Sequence, residues 1–179
     1  PPIEPSPYLP ISRRFINFSY IRPESMPEYA VLSPEDKAKV DELHEQVKPL
    51  NGNARILDRE TMWRTKMQAL WIIYKSGLSA QRQAEFDQYL AEVGDEIESY
   101  ATWCLCYDKW GASNGSDDDW VRKYNRDSEE VAQLRAQSPD TLEFYRWLEW
   151  VATEQLHAAQ QAAREAGMKI GIVADMAVG

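Results

Sequence analysis

Cysteine and histidine are almost absent from this chain. It has two of each in 179 residues. Cys104 and Cys106 stand two apart in a helical pattern, so they point to opposite sides of a helix and cannot readily bridge. That excludes a disulfide scaffold and leads us to expect a reduced, cytoplasmic setting. With so few soft donors, no zinc site is expected, nor any other metal or cofactor. No apolar run approaches the roughly 20 residues of a membrane span, and the opening residues do not read as a signal peptide. Basic charge is also short: 20 Lys and Arg face 29 Asp and Glu, for a net charge of −9. Without a clustered positive footprint, nucleic acid and anionic membranes are excluded as partners, and a neutral partner such as a carbohydrate fits better. Residues 111–119 end in three consecutive Asp but lack the alternating ligands and distal Glu of a calcium loop, so they read as a solvated loop.

What is present is an ordinary globular balance, 44% hydrophobic and 27% charged, in a length that suits one compact unit. Seven Trp and nine Tyr are many for that length. Each buried ring removes roughly 150–250 Å² from water, and such rings also suit the apolar faces of sugars. Seven of the ten prolines fall in residues 1–30, interleaved with Tyr8, Phe15, Phe18, Tyr20 and Tyr29. That density rules out a regular helix, and the rings argue for an extended segment packed on something.

Helical signals follow. Ser33-Pro34-Glu35 opens a helix over 34–48, which Pro49 and Asn51-Gly52 stop. Asp58 caps a helix over 59–76 with Trp63, Met67, Leu70, Trp71 and Tyr74 on its buried face and Gly77 just past its end. Ser79 opens 80–93, burying Phe86, Leu90 and Val93, and Gly94-Asp95 breaks it from 96–110. That next helix carries Ile97, Tyr100, Ala101, Cys104, Leu105 and Trp110. A short helix is expected over 129–137. The strongest pattern is 139–166, where Leu142, Tyr145, Leu148, Ala152, Leu156, Ala159, Ala163 and Ala166 keep one face through seven turns before Gly167. Residues 168–175 then form a short run apolar on both faces, as in strands buried in parallel sheets. A lone parallel strand cannot satisfy its backbone, so its neighbours are expected to lie outside this sequence. The Pro1-Pro2 start and the stop at Gly179 inside an apolar segment lead to the same expectation, a piece of a longer protein.

Three segments carry a resemblance. Ser6-Pro7-Tyr8-Leu9-Pro10-Ile11-Ser12-Arg13-Arg14-Phe15-Ile16-Asn17, Trp147 through Leu156, and Ala166-Gly167-Met168-Lys169-Ile170-Gly171-Ile172-Val173-Ala174-Asp175-Met176-Ala177-Val178-Gly179 resemble, in order and separation, stretches of glycoside hydrolase family 77, the 4-α-glucanotransferases or amylomaltases. Residues 101–107 resemble a shared helix more weakly. The middle, about 25–95 and 111–140, matches in being helical.

The resemblance implies a mainly α fold: a helical insertion subdomain of a (β/α)₈ barrel enzyme, with one barrel strand near the C-terminus. Residues 1–32 would lie near the substrate channel, 33–137 would be the insertion, and 138–179 a barrel helix and strand. It implies transfer of 1,4-α-glucan segments between maltooligosaccharides by a retaining covalent route. The nucleophile, acid/base and stabilising carboxylates would lie after Gly179, beyond an Arg-Ile-Asp-His motif, so no catalytic residue is expected within the chain. Tyr8 and Asp175 are the implied substrate-binding residues. Tyr8 has two readings, stacking on a glucose unit or plain packing. Asp175 sits where a barrel strand delivers site residues, or else caps a following turn. Arg13, Arg14 and Asn17 either bond sugar hydroxyls or fix their own segment. Some relatives carry a tyrosine after the position of Asp58 that serves a second glucan groove, and Arg59 stands there here. Helix 138–166 and strand 168–175 are expected to be covered by a second copy or left mobile. The alternative is a non-catalytic helical module that binds a protein or a glucan.

Overall fold

The computed structural model describes residues 12–53, 55, 57–111 and 125–173. Among them the secondary structure is helical: α1 (Pro27–Ala30), α2 (Pro34–Val47), α3 (Arg59–Lys75), α4 (Ala80–Val93), α5 (Asp95–Trp110), α6 (Glu129–Gln137) and α7 (Pro139–Glu165). Four of these helices, α2, α3, α4 and α6, start on a side-chain cap. Ser33 accepts from the amide of Asp36, Asp58 from Thr61, Ser79 from Arg82 and Ser128 from Val131, at 3.0–3.2 Å. These bonds use donors that a helix's first turn leaves without partners. Gly77 and Gly167 follow α3 and α7 with φ +85° and +94°. At the second, the amides of Gly167 and Met168 reach back to the carbonyls of Arg164 and Ala163, the paired bonds of a Schellman ending.

The single unit expected from length is two. One holds residues 84–150, and the other residues 2–83 with 151–179. The first is built on α5, which is covered on several sides: Ile97, Tyr100, Ala101, Cys104, Leu105 and Cys106 are all buried. α5 packs on α6, which buries Val131 and Leu134, and the unit also buries Phe86 of α4 and most of α7 from Leu142 to Trp150. Phe86 and Trp150 sit with ring centroids 5.2 Å apart, Phe144 and Trp147 at 5.9 Å. Neither Cys104 nor Cys106 is in a disulfide. Glu98 accepts from Arg135 and, at 3.1 Å, from Arg146, tying α5 to α6 and α7.

In the second unit α2 packs on α3. The buried positions of α3 are Ala69, Leu70 and Ile73. Trp63, Met67, Trp71 and Tyr74, expected on the buried face, are half-exposed. The face is rotated because Lys66 lies on it, its ammonium donating to the carbonyl of Ser19 at 2.5 Å. The Pro-rich segment, where described, is a series of short turns and not one extended run: Phe18–Tyr20, Pro23–Ser25 and α1. Pro23 and Pro27 each begin a turn, where the missing amide costs nothing. Phe18, Ile21, Met26 and Leu32 bury their side chains as that packing requires.

Two expectations near the C-terminus need correction. The long face of α7 is buried through Ala152, but Leu156, Ala159 and Ala166 are exposed. Residues 168–173, the described part of the expected strand, have no ladder, and Gly171 has φ +84°, which a strand does not allow. Met168, Ile170, Ile172 and Val173 are exposed. The remainder of that run, with Asp175, lies outside the described residues. No described helix is long and apolar enough to cross a membrane.

One buried charge group is decisive in the second unit. Glu28 is 3% exposed and its Oε1 accepts from Arg82 Nε at 2.7 Å; the other guanidinium nitrogens grip both oxygens of Glu154 at 2.7 Å. Arg82→Ala would strand the Glu28 carboxylate, and the expected cost is about 3–5 kcal/mol in urea unfolding. A loss below about 1 kcal/mol would mean that the bridge contributes no more than a surface pair.

Candidate functional site

The residues singled out for sugar contact fall differently. Tyr8 and Asp175 lie outside the described residues. Asn17 acts within its own segment, where its side chain accepts from the amide of Ser19 at 2.9 Å and starts the Phe18–Tyr20 turn. Arg13 and Arg14 are exposed, just after Ser12, whose hydroxyl accepts from the amides of Arg14 and Phe15. Trp63 and Arg59 are half-exposed on α3.

The second unit holds a cavity of about 500 Å³. Its walls are the turns from Tyr20 to Glu24, α2, residues 50–51, and α3 from its cap to Ala69. Ile21, Val40, Leu43, Val47, Leu50 and Met62 give it an apolar floor. Glu24, Asp41, His44, Asp58 and Lys66 give it a polar rim of mixed sign. Such a volume is of the size that takes small molecules.

Each rim carboxylate already has a partner. Burial would raise the pKa of Glu24, but hydrogen bonds from its own backbone and from Arg22, 3.0 Å away, outweigh it and leave the pKa lowered. Asp41 is lowered by the hydroxyl of Tyr29, which itself accepts from Lys37. Asp58 is lowered by the Thr61 amide that it caps. A glycosidic general acid needs the opposite shift, a carboxyl kept protonated near neutrality. The rim can orient a polar ligand; its described carboxylates are ionised and not set up to give a proton.

The first unit has buried titratable groups of another kind. Burial pushes Cys104 up to about 12 and Cys106 to about 11. It likewise raises the phenols of Tyr100 and Tyr145 above their ordinary range, Tyr145 donating to Asp108. All four stay protonated and act as packing and donors, since a thiol becomes a nucleophile as its thiolate.

The whole chain, and not its three matching segments alone, can be set beside known proteins. The sequence profile described as 4-alpha-glucanotransferase matches residues 1–179. The chain belongs to the 4-alpha-glucanotransferase family, glycoside hydrolase family 77. It is 37% identical over 182 residues to the 4-alpha-glucanotransferases of Mycobacterium bovis and Mycobacterium tuberculosis, a match covering 99% of this chain and 24% of theirs. It is 24% identical to that of Haemophilus influenzae, over 97% of this chain and 27% of the other. Its fold is similar to that of the crystal structure of amylomaltase from Corynebacterium glutamicum, with TM-score 0.78 and 35% identity, over all of this chain and 23% of that one. The chain thus spans about a quarter of the length of the curated relatives it matches. The family resemblance seen in three segments extends over the middle as well.

The cavity itself was not read from sequence. Among its lining residues is Lys66, which follows Arg64 and Thr65 on α3. Burial lowers its pKa below the ordinary 10.5. Between that lowered value and 10.5 the unfolded chain holds the extra proton, so folding stability rises with pH across the window. Lys66→Met is expected to remove that rise, so that wild type gains on the variant as pH climbs toward 10.5. Parallel stability–pH curves for the two proteins would show that Lys66 is not desolvated.

Proposed function

We propose that this chain is a helical part of a longer 4-α-glucanotransferase, which moves 1,4-α-glucan segments between maltooligosaccharides by a retaining route. The observation that carries the reading is the full-length match to the family together with a TM-score of 0.78 to amylomaltase. In that route one carboxylate attacks the anomeric carbon while an acid protonates the leaving oxygen. A sugar hydroxyl then opens the glycosyl-enzyme in place of water. On this reading all three catalytic carboxylates come from the rest of the enzyme. The ionised, hydrogen-bonded state of Glu24, Asp41 and Asp58 supports it, because none of them is suited to the acid's role.

Within the longer enzyme, residues 1–32 lie by the substrate channel, with Tyr8 as a platform for a glucose ring. Residues 33–137 form the helical insertion, and 138–179 a barrel helix and strand ending in a site residue, Asp175. The exposed Ile172 and Val173 are side chains that neighbouring strands would cover.

The test is disproportionation of maltotriose. The 179-residue chain alone is expected to release no glucose, and the longer enzyme to release it readily. Asp175→Asn in the longer enzyme is expected to lower kcat/KM by about a hundredfold. Glucose formed by the pure 179-residue chain would refute the division of labour.

A further inference from the structure

We infer that Lys66 is a modification site, at which a small aldehyde with an apolar body enters the cavity beside α2 and α3 and forms an imine on the side-chain nitrogen. The inference stands apart from the glucan-transfer reading and uses residues of the second unit alone.

The cavity supplies the fit. Its volume is about 500 Å³, and a dry apolar cavity of roughly 150 Å³ already admits a benzene ring. Ile21, Val40, Leu43, Val47 and Met62 line it, so a hydrocarbon ring or short chain leaves water on entering. Met62, Lys66 and Ala69 follow at helical spacing on one face of α3, which sets the lysine among these apolar walls. Charges of both signs surround the rim. Glu24, Asp41 and Asp58 oppose an anion, and Arg22 and Lys66 oppose a cation, so an uncharged occupant is favoured. An aldehyde needs no counter-ion and carries a group that reacts with an amine.

Lys66 is placed for that reaction. Its nitrogen donates to the carbonyl of Ser19 at 2.5 Å, a neutral acceptor that holds the amine as well as the ammonium. Burial favours the amine, and the charge of Glu24, which opposes this, is outweighed. As the amine, the nitrogen keeps its bond to Ser19 and has a lone pair with which to attack, the state in which a desolvated lysine becomes a nucleophile. The lone pair forms a bond to the carbonyl carbon, whose π pair goes to oxygen, and one nitrogen proton moves to that oxygen. The carbinolamine then loses its hydroxyl with the second nitrogen proton as water. That leaves C=N and consumes no oxidant or reductant. Once protonated, the imine regains one N–H, enough for the Ser19 carbonyl.

Benzaldehyde is the probe, with cyanoborohydride to trap the imine as a secondary amine and peptide mass mapping to read each lysine. In the 179-residue chain at about pH 7, Lys66 is expected to be labelled at least about fivefold faster than Lys37 and Lys39, whose pKa values are raised by Tyr29 and by Glu35. Labelling of Lys66 is expected to saturate with benzaldehyde concentration. It is also expected to slow when benzyl alcohol, which has the same ring and no aldehyde, is added. Labelling of Lys39 is expected to stay linear and indifferent to the alcohol. Equal rates at the three lysines overturn the site. A fast but linear response at Lys66, blind to benzyl alcohol, overturns the cavity's part in it.

Discussion

A backbone with little regular structure must find partners for its amides and carbonyls, and in this protein side chains of distant helices supply them. Residues 17–28 are too rich in proline to hydrogen-bond as a long helix, and they pair with no strand in the described structure. Gln155 on α7 solves the problem at Arg22, accepting from its amide at 2.8 Å and donating to its carbonyl at 2.9 Å. Lys66 on α3 takes the carbonyl of Ser19, and Arg82 on α4 takes Glu28 of α1. A four-residue helix such as α1 has no stability of its own. Its order comes from Pro27, from Met26 and Leu32 in the core, and from a buried carboxylate that only a well-aimed guanidinium can neutralise. Gln160 repeats the device of Gln155 farther along the same helix, bonding the Ile170 carbonyl and the Ile172 amide. Two glutamines on α7 each act as a one-residue stand-in for a neighbouring strand.

This explains what the sequence revealed and what it withheld. Helix ends were legible because their causes are local: Ser33, Asp58, Ser79 and Ser128 cap within three residues, and Gly77 and Gly167 turn the chain within one. Partners 47, 54, 72 or 133 residues away leave no such mark. Lys66 and Arg82 read as ordinary surface cations until the chain is folded. For the same reason the buried side of α3 was placed a quarter-turn off. Its aromatic residues suggested a face centred on Trp63, Met67 and Trp71, whereas the buried residues are Ala69, Leu70 and Ile73. Large rings remain half-exposed where the neighbouring surface ends, and Trp71 there keeps Tyr74 and Lys75 for company.

The candidate site divides the same way. Resemblance picked out Tyr8 and Asp175, whose roles depend on a longer enzyme, and no periodicity in this chain could have done so. Geometry picked out the cavity beside α2 and α3, which no motif announced. The two do not coincide. What links them is negative in a useful sense: the cavity's carboxylates are spent on Arg22, Tyr29 and the Thr61 amide, so the chemistry of glycosyl transfer finds no proton donor among them.

The second half of α7 shows how a helix can keep its form with little of it buried. From Leu156 onward most of the helix is exposed, yet it continues to Glu165. Buried contacts cannot be the reason. Ala158, Ala159, Ala162, Ala163 and Ala166 can: alanine loses no side-chain freedom in a helix and is the best helix former. Gln161 adds an i,i+4 bond to Glu165 at 2.8 Å. Alanine also leaves the backbone accessible to close approach, which a row of leucines would prevent. The same residues that let the helix stand bare therefore suit it to lie tightly against a large neighbour. On the proposed reading that neighbour is the barrel, and the helix holds its shape without it because its propensity is local.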